Sequence, residues 1–126
     1  MIDKGKVKPI AKYKELAGPN GLLANEDGLW VVTFGSNELY RVDAQGKRQT
    51  MATLPTGGLD GLVMAEGTLL ISSWEGSAVL RGAPTGPFTP VVSDVKGPAD
   101  IAYDGKRKRI VIPRFMDNVV EVYDLK

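Results

Sequence analysis

The chain has 126 residues, 43% hydrophobic and 25% charged, which is the profile of one ordinary folded domain with a real core. A formal net charge of +1 gives no whole-molecule attraction to nucleic acid or to an anionic membrane, so neither is expected as a partner. With no cysteine and no histidine, the sequence excludes disulfides, thiolate chemistry, a Ser-His-Asp triad and imidazole metal sites.

The opening stretch, MIDKGKVKPI, is polar and charged, unlike a signal peptide, and no apolar run reaches membrane-spanning length. A soluble protein is expected, with periplasm and cytoplasm both open as its compartment. Residues 6–16, KVKPIAKYKEL, read as a strand similar to KRQTMATL further along. From residue 18 onward the chain repeats itself. Residues 18–54, 58–95 and 97–126 align with a period of about 40 residues, a length shared by propeller blades and some helical repeats. Gly18, Gly58 and Gly97 open the three units. Asn20, Asp60 and Ala99 coincide, as do Phe34, Trp74 and Phe115.

Hydrophobic periodicity decides between the two architectures. LWVVTFG, TLLISSWEG and RIVIPRFMD are β-branched and aromatic runs of strand length, while ELYRVDAQG and NVVEVYDLK alternate apolar with polar. The pieces EDG, AEG and DGK mark hairpin turns, and the basic stretch DGKRKRI at 104–110 reads as one of them, a solvated turn. Each unit is therefore a small antiparallel sheet. The first two units supply four strands each and the third supplies three. With residues 6–16 ahead of them, the strand order is d-abcd-abcd-abc.

The fold expected is all-β: one half-propeller domain over residues 1–126, with a closing strand at 6–16 and blades at about 18–54, 58–95 and 97–126. Three blades cannot close around an axis. A half-ring leaves apolar faces and strand edges bare, so two copies are expected to form a homodimer by strand exchange at blade edges, a six-bladed ring.

The run GPNGLLANEDGLWVVTFGSNELYRVD, followed by LDGLV and LLISSWEGSAVLR, resembles the SMP-30/gluconolactonase/LRE-like superfamily of six-bladed propellers. The similarity covers residues 14–126 and corresponds to the C-terminal half of such a protein. It implies that Asn20 and Asp60 ligate a divalent cation in a central tunnel, where a small-molecule ligand also binds. In the lactonase members the metal polarises the lactone carbonyl and the Asp, here Asp60, serves as the base. Amide and carboxylate oxygens suit calcium, magnesium or manganese. The resemblance also implies further ligands from blades that this chain lacks, and the third unit has Ala99 at the ligand position with Asp100 one residue later. As an isolated half, the chain is not expected to be a competent enzyme. The other function class is a non-catalytic scaffold for a ligand or protein.

Asn20 has a second explanation, because Asn-Gly is a turn signal in its own right. Phe34, Trp74 and Phe115 are expected to pack between blades, as repeated apolar positions do, with Trp74 also a candidate lining of the tunnel mouth. Arg114 interrupts an apolar strand, where it either contacts an anionic substrate or pairs with Asp100. Ser72 and Ser73 lack a histidine to activate them.

Overall fold

Short antiparallel strands make up almost all of the regular structure. The computed structural model describes residues 2–126. A two-rung hairpin of β1 (Ile2–Asp3) and β2 (Lys6–Val7) comes first. The first blade is the sheet β3 (Pro19–Asn25), β4 (Gly28–Thr33), β5 (Glu38–Val42) and β6 (Arg48–Thr53), hydrogen-bonded in that order. The second repeats it with β7 (Leu59–Ala65), β8 (Thr68–Ser73), β9 (Ala78–Gly82) and β10 (Phe88–Val92). The third holds only β11 (Ala102–Asp104), β12 (Arg109–Arg114) and β13 (Val119–Asp124).

The turns follow from their residues. Glu66 and Gly67 both have positive φ between the paired Ala65 and Thr68, the two-residue turn whose twist matches a hairpin. In the third blade the basic stretch does form a turn. Asp104 Oδ1 accepts hydrogen bonds from the Lys106 and Arg107 amides, and its Oδ2 accepts one from the Arg107 guanidinium at 2.8 Å.

The second strand of the second blade is apolar on both faces because it packs against both neighbours. In β8, Leu69 and Ile71 face the first blade, where they meet Trp30, Val32, Leu39 and Leu54. Leu70 faces the other way and joins Val79, Val92, Ile101, Ile110 and Ile112 between the second and third blades. Each such fully buried side chain contributes about 1.5–3 kcal/mol, so these two interfaces hold the fold together.

Residues 6–16 do not form the expected closing strand. Only Lys6–Val7 is extended and paired, and its partner is Ile2–Asp3. The chain then crosses the free face of the first blade and ends in a 3₁₀ turn at Lys14–Leu16. Ala11 and Leu16 pack on Val31, Tyr40 and Val42, the apolar face that no blade covers. Tyr13 donates from its hydroxyl to the Gly46 carbonyl at 3.1 Å, and Tyr40 donates to the Leu16 carbonyl at 3.0 Å. Burying that face outweighs adding a strand at a distant edge, and Pro9 removes one ladder donor from the segment.

Candidate functional site

The innermost strands β3, β7 and β11 lie next to one another across the blade boundaries, and all three begin at one end of the molecule. Each breaks its register there. The ladder skips between Pro19 and Leu22 in β3, and between Leu59 and Leu62 in β7. In the third blade an isolated bridge joins Pro98 to Arg114, and regular pairing resumes only at Ala102. The skipped residues include Asn20 and Asp60. Such bulges re-aim side chains out of the pleat, and here they turn polar groups toward the axis.

As a result, Asn20, Asp60 and Asp100 line one open cavity of about 300 Å³, together with Gly21 and Leu22. Asn20 and Asp60 thus lie together across two blades, and the third polar group is Asp100. Ala99 instead serves the backbone: its carbonyl accepts from Ser72 Oγ at 2.8 Å, and Ser72 Oγ accepts from the Gly61 amide at 2.7 Å. This fully buried serine ties the inner strands of blades two and three together. A serine directly after the apolar run Leu69–Ile71 was the sequence signal for it.

Trp74 Nε1 donates to Asp60 Oδ2 at 3.0 Å, and Asn20 Nδ2 makes a long contact of 3.5 Å to the Leu59 carbonyl. Partial burial holds the Asp60 carboxyl above the ordinary carboxylate range. The Trp74 hydrogen bond opposes that shift, the nearby Asp100 charge adds to it, and the Asn20 amide opposes it.

Above the cavity the three repeat aromatics form a ladder, with Phe34 and Trp74 edge to face at 5.6 Å and Trp74 and Phe115 tilted at 5.6 Å. The same backbone bond anchors each one. The amides of Phe34, Trp74 and Phe115 donate to the carbonyls of Gly18, Gly58 and Gly97 at 2.9, 2.9 and 3.0 Å. The aromatics therefore do pack between blades, but Phe34 and Phe115 remain 49% and 68% exposed at the mouth.

Arg114 does not pair with Asp100. Its guanidinium binds Asp117 at 2.5 Å and Glu121 at 2.9 Å, both in its own blade, and Tyr123 donates to the second oxygen of Glu121. That arrangement consumes its charge within the blade. Ser73 is fully buried and donates to the Gly57 carbonyl at 2.7 Å, a structural bond.

No family model matches the chain, and none of the curated proteins matches it. Solved structures do. A streptogramin B lyase superimposes with a TM-score of 0.58 at 22% identity, over 86% of this chain and 41% of that one. Virginiamycin B lyase from Staphylococcus aureus gives 0.57 at 18% identity, over 86% and 42%. The nidogen/laminin complex gives 0.68 at 12% identity, over 82% and 42%. These neighbours are β-propellers. The chain has the fold of a partial β-propeller. It spans about two fifths of the length of these three structures, and identities this low carry the fold alone. No helix among the described residues is long and apolar enough to cross a membrane.

Proposed function

We propose that the mouth of this half-propeller is a divalent-cation site, held by Asp60 and Asp100 with the amide oxygen of Asn20. In a ring completed by further blades it would serve a hydrolase of lactones or related esters, as the SMP-30/gluconolactonase-like resemblance implies. The supporting observation is that three blades each send one oxygen-bearing side chain to the same cavity. Amide and carboxylate oxygens are the donors that hard cations take. Among the described residues no group of three or more acidic side chains is placed to hold a metal. Two carboxylates and one amide therefore suit magnesium or manganese, which keep several waters, better than calcium, which takes six to eight oxygens. A cation bound there supplies positive charge to polarise an ester carbonyl. Asp60, with its raised proton affinity and one oxygen fixed by Trp74, is the chain's candidate base toward an attacking water.

Calorimetric titration with magnesium, manganese and calcium tests this reading. One-to-one binding is expected for the first two, and it should be lost in Asp60→Ala and weakened at least tenfold in Asp100→Asn. Absence of heat with all three cations, or binding indifferent to Asp60→Ala, would refute it. A non-catalytic scaffold is the second reading, favoured by the exposed faces of Phe34 and Phe115 beside the cavity. Under it, the aromatic rim binds a ligand or protein with no cation requirement.

A further inference from the structure

The outer side of the first blade is covered by a single length of chain where the second blade has a whole sheet beside it. In the aligned frame Leu29, Val31 and Tyr40 correspond to Leu69, Ile71 and Leu80. Those three residues of blade two pack against Trp30, Val32 and Leu39. Their counterparts on blade one meet the strap of residues 10–17, which presents Ala11 and Leu16. Two smaller side chains thus stand in for a tryptophan, a valine and a leucine.

The strap cannot settle closer to make up the difference, because its backbone is already held. Arg48 donates to the Glu15 carbonyl at 2.6 Å, and the Gly35 amide donates to the Ala17 carbonyl at 3.1 Å. Tyr13 and Tyr40 tie it at Gly46 and Leu16. A side-chain carbon on Gly46 would fall under 3.0 Å from the Ile10 carbonyl, so Gly46 makes room for the strap's backbone.

What remains between strap and blade is a cavity of about 210 Å³. Ile10, Ala11 and Leu16 line it from the strap, and Leu29, Val31 and Val42 line it from the blade. None of the described residues lining it is charged. The Tyr40 hydroxyl is spent on the Leu16 carbonyl, which leaves Asn20 as the remaining polar side chain. Asn20 and Leu22 also line the mouth, so the two cavities adjoin. Leu22 offers an apolar rim there, 58% exposed.

We propose that this cavity binds the hydrocarbon part of a small neutral amphiphile whose polar end lies toward Asn20. Lining and size select that occupant. An ordered water needs two to four polar partners, which these side chains do not offer. A peptide segment, a further blade or a second copy needs far more room than 210 Å³, and the strap's hydrogen bonds hold the face against them. An apolar cavity of about 150 Å³ holds benzene, so this one takes about six to eight carbon atoms. An anionic head is disfavoured by Asp60 and Asp100 in the adjoining cavity. The cavity does not need the cation. Where the cation reading of the mouth also holds, the cavity takes the apolar chain of an ester whose carbonyl lies at the mouth, and that step alone rests on that reading.

The test titrates the metal-free chain with 1-alkanols from 1-butanol to 1-decanol, followed in amide and methyl NMR spectra. Its failure is therefore separate from a failure of the cation titration. Saturable binding is expected, with shifts centred on Ala11, Leu16 and Val31. Affinity should rise about fourfold per methylene and level off at about six to eight carbons. Ala11→Leu, which puts more carbon into the cavity, should move that plateau to shorter chains, and Leu29→Ala should move it to longer ones. Hexanoate at pH 7 should bind roughly threefold or more weakly than 1-hexanol, by repulsion from the two carboxylates. No binding up to the solubility limit, affinity that climbs to 1-decanol with no plateau, or a plateau indifferent to both substitutions would each overturn the proposal. So would shifts centred on Phe34 and Phe115 or on Val120 and Val122, or hexanoate binding as tightly as 1-hexanol.

Discussion

Gly61→Ala is expected to lower stability sharply, because the added carbon has nowhere to go. It would sit 2.9 Å from Ile101 Cγ1 and closer still to the Ile101 amide nitrogen, where 3.4–4 Å is ordinary contact. Backbone cannot swing aside as a flexible side chain does, so β7 and β11 must part by roughly 0.5 Å or more. Gaps of that order forfeit a quarter to a half of each contact's dispersion energy. The contacts at risk run from Leu70 and Val79 to Ile101, Ile110 and Ile112, along with the Gly61–Ser72–Ala99 hydrogen bonds. Overpacking of this kind costs about 1–3 kcal/mol. With an unfolding entropy of about 2.1 cal/mol/K per residue, each kcal/mol lowers the melting temperature of a chain this size by about 4 °C. The variant should therefore melt about 4–12 °C below the parent in calorimetry or thermal circular dichroism. Gly105→Ala is the matched control, since its added carbon meets only the Tyr103 ring, at 3.6 Å. Equal melting temperatures for the two variants would refute the idea that Gly61 sets the spacing of blades two and three.

Two further outcomes follow from the mouth and the strap. The fold favours the protonated form of Asp60, so the ionised carboxylate costs stability near neutral pH, and that cost vanishes below the carboxylate range. Without added metal, Asp60→Asn keeps an acceptor for Trp74 and should melt above the parent at pH 7, the gap closing by about pH 3.5; a gap independent of pH would contradict this. Gly46→Ala should speed tryptic cleavage after Lys12 and Lys14 several-fold by lifting the strap. Gly67→Ala, at the same φ of +77° but in open space, controls for backbone strain, and equal rates in the two variants would contradict the strap's seat on Gly46.

The blades were legible because alternation and turn chemistry are local. Leu69, Leu70 and Ile71 in an unbroken apolar run announce a strand buried on both faces, and Glu66-Gly67 announces its turn. The strap was not legible. Its alternation of lysine with apolar residues mimics a strand, and which apolar surface stands uncovered is a property of the assembled blades, not of residues 6–16. At the site, the shared frame of Asn20 and Asp60 could be read directly. Asp100 was visible one residue out of frame. It lines the cavity from the frame position of Gly21 and Gly61, glycines that pack against the next inner strand in the other blades. The fate of Arg114 depends on Asp117 and Glu121, three and seven residues away across a turn.

The proposed function requires Asn20, Asp60 and Asp100 to act as one cation-binding mouth. Paramagnetic broadening by manganese in the amide spectrum of the 126-residue chain tests that most directly. Selective, saturable loss of the Gly21, Gly61 and Ile101 signals is expected at sub-stoichiometric manganese, abolished in Asp60→Ala. Broadening centred instead on the exposed acidic turns, or none at all, would contradict it.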